Sequence, residues 1–214
     1  MDLKLTGHNV IITGGTKGIG RAIAETLAEE GCNIAICARS ADDVSSAVDA
    51  LSAKGVKVTG QALDVADGDA FAAWINSVGE ELGGIDAFVS NVSGGNAPGD
   101  AGWISQFNYN ILSAVHGVEA CKPFFEKSSN ASVVMISTTA ALEHFMNAGP
   151  YNAMKAGLLN YSGALSQELG AKGVRVNAIS PGPVFIEGGS WDKIKQGMTA
   201  FYDSTLATIP LGRM

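Results

Sequence analysis

The chain has 214 residues, of which 46% are hydrophobic, 16% charged and 27 glycine. That suffices for one domain with a sizeable core and is too apolar for a disordered segment. A formal net charge of −7 argues against nucleic acid as the main partner, because neutralising phosphates needs a basic surface. Cys32, Cys37 and Cys121 have no short metal-ligand spacing and read as buried thiols in a reducing compartment. No run of about 18 apolar residues occurs. The expectation is a cytoplasmic protein without metal or membrane contact.

In chain order, Val10, Ile11 and Ile12 form a short apolar run of the buried-strand type. It breaks into Thr13-Gly14-Gly15-Thr16-Lys17-Gly18-Ile19-Gly20, and a helix is predicted over 21–30, stopped by Gly31. A strand, a glycine turn and a helix aim backbone N–H groups and the positive helix end at a phosphate. Gly14 suits the positive φ of a tight turn, Gly18 lets a pyrophosphate approach, and Gly20 lets helix and strand pack closely. The spacing is GxxxGxG, and an ordinary turn of an α/β core is the competing reading. Further strands are predicted at 33–38, 56–61, 85–90, 132–137 and 174–179. Helices are predicted at 41–53, from the Asp67 cap through Val78, at 103–126 with a kink at Pro123, and at 151–169. A loop rich in glycine and asparagine occupies 92–99.

Strands alternating with helices make a parallel sheet, whose ligands bind outside the carboxyl ends of the strands. The residues after each strand, namely the glycine turn, Arg39, Asp64, Asn91, Thr138 and Pro181-Gly182, therefore share one edge. Tyr151 and Lys155, four apart, share one helix face. A free phenol, with a pKa of about 10, is a poor acid–base group near neutrality. An ammonium about 4 Å away, at an effective dielectric of about 20, contributes about 4 kcal/mol, roughly what a three-unit shift requires. A solvated helix face is the bland alternative.

Taken together, TGGTKGIG at 13–20, Asp64-Val65, Asn91, Asn110, the Ser137-Thr138-Thr139 turn, YNAMK at 151–155 and SPGP at 180–183 resemble the short-chain dehydrogenase/reductase family along essentially the whole chain. Within it they are most similar to members that resemble 3-oxoacyl-carrier-protein reductase. The resemblance implies a Rossmann-type α/β fold, a doubly wound parallel sheet with helices on both faces. It also implies a homo-oligomer (dimer or tetramer) and a reaction that interconverts a ketone and a secondary alcohol with NADP(H). In that reaction Tyr151 moves the proton, and Lys155 assists it and holds the nicotinamide ribose. Asn110 helps hold a relay water, its bland alternative being an amide bonded within its own helix. Thr138 bonds the carbonyl oxygen, with Ser137 as its competitor. Implied cofactor contacts are Gly14, Thr16, Lys17, Gly18, Ile19, Gly20, Arg39, Ser40, Asp64, Val65, Asn91, Tyr151, Lys155, Pro181, Gly182 and Val184. Asn91 would support the sheet edge, Asp64 would bond the adenine or cap a turn, and Pro181-Gly182 would pass beside the nicotinamide.

Cofactor choice has its own signal. NAD-preferring enzymes of this type place an acid after the second strand, and here Ala38 is followed by Arg39. A guanidinium grips a 2′-phosphate with two hydrogen bonds, worth roughly ten- to hundredfold in preference, and Lys17 could join it. Three departures from the family pattern stand out. Thr138 replaces the usual serine, Ser90-Asn91-Val92-Ser93 replaces NNAG, and the family's last helix and strand are missing after Met214. The segment 183–206, with Phe185, Trp191, Met198, Phe201 and Tyr202, reads as a substrate lid or as core and subunit contacts. A non-catalytic NADP(H)-binding sensor or scaffold is the alternative of a different class. It is disfavoured because it has no use for Tyr151, Lys155 and Asn110 together, and an epimerase or dehydratase would need a larger substrate domain.

Overall fold

The apolar runs pair as parallel strands. β1 (Asn9–Thr13) lies between β2 (Asn33–Ala38) and β4 (Ala87–Ser90), with Ile12 opposite both Ile36 and Val89. β3 (Val58–Ala62) extends the sheet beyond β2, while β5 (Ser132–Ile136) and β6 (Arg175–Ile179) extend it beyond β4. The order is β3-β2-β1-β4-β5-β6, and every pair is parallel. The computed structural model describes residues 3–95, 97–144 and 148–214. Asn96 of the predicted loop lies outside the described residues.

Alternate residues of each strand feed two cores. Ile11, Ala35, Phe88 and Val133 face one layer of helices, α3 (Gly68–Leu82), α5 (Ser113–Phe125) and α6 (Pro150–Gly170). Ile12, Ile34, Ile36 and Val89 face the other, α1 (Gly18–Glu29) and α2 (Ala41–Ser52). Burial on both faces is why β1, β2 and β4 read as apolar runs. This is the expected doubly wound α/β sheet. No helix among the described residues is long and apolar enough to cross a membrane. The three cysteines are buried, and burial pushes the thiol of Cys32 up to about 11 and that of Cys37 to about 12.

Several boundaries differ from the sequence reading. α1 begins at Gly18, not at 21, because the glycine turn itself winds into the first helical turn. β3 starts two residues later than predicted, at Val58, and β4 starts at Ala87. α6 starts at Pro150, a residue preset for the first helical position. The helix predicted over 103–126 is in fact α4 (Gly99–Phe107), a π-helical turn over Asn108–Leu112, and then α5. Pro123 sits inside α5.

Two glycines give opposite expectations. A methyl on Gly20 would overlap Gly14 O and Asn91 Nδ2, whereas one on Gly163 in α6 meets open space. Urea unfolding should therefore show Gly20→Ala destabilised by about 1–3 kcal/mol. Gly163→Ala should be stabilised by about 0.5–1 kcal/mol through helix propensity. Equal midpoints for the two variants would contradict this packing.

Candidate active site

The glycine turn is shaped by contacts that exclude side chains. Gly14 and Gly18 have φ of +66° and +56°, the left-handed region that favours glycine. Gly14 N donates to Cys37 O (2.8 Å), anchoring the turn to β2. Asn91 Nδ2 donates to Thr13 O (3.0 Å), and Asn91 N donates to Thr13 Oγ1 (2.9 Å), anchoring it to β4. Lys17 caps α1 in an extended conformation, and its side chain makes no capping hydrogen bond. The first-turn N–H groups thus have no side-chain cap and stand toward the carboxyl edge of the sheet.

Beside the turn lies a cleft of about 550 Å³, whose lining includes Gly14, Thr16, Arg39, Asp64, Ser93 and Tyr109, with Ser40 and Val65. The Arg39 guanidinium lies 5.8 Å from the centroid of the Tyr109 ring, a cation–π arrangement. Tyr109 Oη donates to Asp64 Oδ2 (2.6 Å), and this bond pushes the Tyr109 pKa up. The other oxygen of Asp64 accepts from Ala66 N (3.0 Å), so this carboxylate is also a turn former. Lys17 pairs with Asp43 (2.7 Å), which with a bond from Lys17 and then one from Ser40 holds the exposed Asp43 carboxyl below its usual range. Ser40 Oγ accepts from Asp43 N (3.3 Å) as the cap of α2.

A second cleft, of about 420 Å³, shares Ser93 with the first. Thr138, Thr139, Tyr151, Gly182 and Pro183 line it, with Ser190, Trp191 and Ile194 of α7 (Ser190–Gly197) as its outer wall. Trp191 is held in place by Phe201, stacked at 6.0 Å, and by Tyr202, edge-on at 6.5 Å, both on α8 (Thr199–Thr208). Thr138 lines this cleft, whereas Ser137 is buried beneath it and donates to Lys155 O (3.1 Å). Thr138 Oγ1 accepts from Ala140 N (3.2 Å), which leaves its hydroxyl hydrogen available to a ligand. Lys155 is buried, and its Nζ donates to Ile136 O (2.7 Å), leaving two further N–H donors. Burial lowers its pKa from 10.5 to about 8.

Asn110 sits in the π-helical turn, 1% exposed. Its Nδ2 donates to Gln106 O (2.9 Å) and to Gln106 Oε1, while its Oδ1 is buried with no hydrogen-bond partner among the described residues. A buried amide oxygen without a donor is costly. It marks a position for a water or ligand. A π-turn in a longer helix frequently accompanies a functional site.

Not every expected contact has its side chain in the clefts. Ile19 lines a separate apolar groove with Ile23 and Leu27, leaving only its backbone toward the turn. Gly18 faces Ile186, whose Cδ1 lies 2.8 Å from where a Cβ would be. Pro181 O accepts from Thr139 N (3.0 Å), so Pro181 ties the loops after β5 and β6 together, and Val184 is exposed and lines neither cleft. Three residues at the site escaped the sequence reading. Tyr109 could have been suspected from its place beside Asn110, and Gln106 from its spacing of four to Asn110. Asp43 follows Ser40 at the spacing of a capping box and reads as nothing more.

The family model described as short chain dehydrogenase matches residues 8–189. This chain belongs to that family. Among curated short chain dehydrogenase relatives, isoepoxydon dehydrogenase of Penicillium expansum is 35% identical over 217 residues, spanning 98% of this chain and 83% of the relative. Among solved structures, L-sorbose reductase from Gluconobacter frateurii, complexed with NADPH and L-sorbose, superposes with a TM-score of 0.89 at 28% identity, covering 100% of this chain and 86% of that one. A short chain dehydrogenase from Mycobacterium paratuberculosis bound to NAD gives a TM-score of 0.85 at 26% identity, covering 97% and 86%. The chain is thus an oxidoreductase of the dehydrogenase/reductase type, and the family binds a nicotinamide cofactor.

The buried Lys155 makes stability depend on pH in a defined direction. Between about 8 and 10.5 the unfolded chain holds a proton that the folded lysine has released. Stability therefore rises with pH across this window. Relative to Lys155→Met, which lacks the titration, the ligand-free wild type should gain up to about 3 kcal/mol between these limits. Denaturation midpoints at several pH values measure the difference, and parallel curves would rule out a depressed lysine.

Proposed function

We propose that the chain is an NADP(H)-dependent reductase that interconverts a neutral ketone and a secondary alcohol, with Tyr151 as general acid and base. The observation that carries this reading is the pairing of the two clefts, one holding Arg39 and the glycine turn, the other Tyr151 and Thr138, joined at Ser93. The residues fit a dinucleotide. The uncapped start of α1 suits a pyrophosphate, the positive-φ glycines admit it, and the first cleft accommodates an adenosine beside Arg39 and Asp64. When bound, the nicotinamide exchanges hydride with the substrate carbon.

The chain's own residues do the rest. In reduction, the Thr138 hydroxyl donates to the carbonyl oxygen and orients it. The Tyr151 phenol gives that oxygen its proton as the carbon becomes tetrahedral. The Lys155 ammonium, fixed by Ile136 O, stabilises the phenolate left behind and offers its remaining donors to ribose hydroxyls. A water on Asn110 Oδ1 is the relay that returns the proton from solvent. Oxidation runs the same transfers backward.

Among the described residues, Tyr151 is the sole ionisable side chain lining the second cleft. Hydroxyls and the Trp191 face suit a neutral, hydroxylated ketone, since a carboxylate there would be desolvated without a partner. The relative crystallised with L-sorbose holds a ligand of that chemistry. In this reading α7 and α8 form the lid over the substrate.

Tyr151→Phe removes only the phenol proton. It should abolish NADPH oxidation with a ketone panel while leaving NADPH binding within about twofold, since one group that touches no cofactor phosphate is lost. Near-normal turnover would remove Tyr151 from the mechanism, and NADPH binding without turnover of any ketone in the wild type would favour the sensor.

Cofactor preference is tested by kcat/KM with NADPH and NADH. Arg39→Ala should cut the NADPH preference roughly ten- to hundredfold. Asp43→Ala, which frees Lys17 from its carboxylate partner, should raise it. An unchanged ratio in Arg39→Ala would overturn the assignment.

A further inference from the structure

Gln106 is a polar side chain on α4, 1% exposed, that is not itself part of either cleft lining. Its Nε2 donates to Gly94 O (2.9 Å) and Gly95 O (3.2 Å). Backbone carbonyls can only accept, so the amide nitrogen must face them and Oε1 must point the other way. There it accepts from Asn110 Nδ2. That bond in turn assigns the Asn110 amide, turning its unpartnered Oδ1 away from Gln106.

The other end of the link is the loop after β4. Ser93 lines both clefts, Gly94 the second and Gly95 the first. The loop is pressed onto α4, since a Cβ on Gly94 would come within 2.8 Å of Gln106 Cα and of the Ser105 backbone. Gly95 N also donates to Ser105 Oγ (3.2 Å). One buried amide thus fixes the partition between the clefts and the orientation of Asn110.

We propose that Gln106 is a positioning residue, setting the cofactor-side loop and presenting Asn110 Oδ1 as an acceptor. This rests on the reductase reading above. Were Gln106 only core filling, ionising a side chain of the same shape would lower stability and leave cofactor affinity unchanged.

Gln106→Glu supplies the test. Its protonated acid has the same shape, donates to Gly94 O and accepts from Asn110 Nδ2. Its carboxylate has no donor and faces two carbonyl oxygens. Burial raises such a carboxyl's pKa, which brings the change between about pH 5.5 and 8 within reach. NADPH affinity, read by fluorescence titration, should be near wild type at the acid end. At the alkaline end it should be weaker than wild type at the same pH by about tenfold. kcat/KM with a ketone should follow the same curve. Gln106→Leu should be weak at every pH.

A Gln106→Glu variant with the wild-type pH profile and affinity overturns the proposal. So does one that loses only melting temperature, or one that fails to fold even at about pH 5.5, where the side chain is a neutral isostere. If Gln106→Leu does not fold, Gln106→Glu decides alone. NADPH binding without turnover in the wild type would sink the reductase reading while the affinity measurement still judges Gln106. A wild type that binds neither NADPH nor NADH would sink both.

Discussion

Asn91 holds the carboxyl ends of β1 and β4 together at the point where the chain leaves the sheet in opposite directions. Its side-chain amide donates to Thr13 O and its backbone N–H to Thr13 Oγ1, while Thr13 Oγ1 donates onward to Val89 O (3.3 Å). After this point α1 turns to one face of the sheet and the loop toward α4 leads to the other, so a crevice must open between them. Losing the Asn91 amide would take this donor from Thr13 O at the edge of a packed core. With these bonds, the glycine turn is tied to the sheet, and Gly20 approaches Gly14 closely enough to exclude any side chain. Every group proposed to meet a ligand is placed relative to that junction.

The second constraint is electrostatic. Lys155 is buried under the second cleft with, among the described residues, a single side-chain hydrogen bond, to Ile136 O. A protein built only for stability would place an apolar residue there. Ser137 shows the accommodation made around it. The hydroxyl directed into the core serves the backbone of α6, and the next residue, Thr138, lines the second cleft. Alternation along the extended chain separates scaffold from chemistry in consecutive positions.

Much of this was legible beforehand, for local reasons. β2 matched its predicted bounds because both ends carry turn chemistry, and Asp67 was recognisable as a cap, which its bond from Ala70 N (3.1 Å) bears out. The gathering of strand ends came from alternation alone. The parts that stayed hidden depend on contacts between distant segments. Lys17 and Asp43 meet only because α1 and α2 lie on the same face. Tyr109 reaches Asp64 across 45 positions of sequence. The π-turn was invisible because one extra residue in a helix scarcely disturbs the apolar pattern on which the helix was recognised.

That extra residue has a geometric price. Each residue added to an α-helix rotates the downstream chain by about 100° and advances it by about 1.5 Å. The widened turn at Asn108–Leu112 therefore sets the phase of α5 against the sheet independently of α4. Ala114, Val118, Cys121 and Phe125 keep their packing in the core while Tyr109 and Asn110, neighbours in sequence, serve different compartments. A length change of one residue here would force a choice between core and crevice, whereas point substitutions leave the phase untouched. The 108–112 segment behaves as a vernier between the two halves of the molecule, because its length, more than its composition, sets how they are phased.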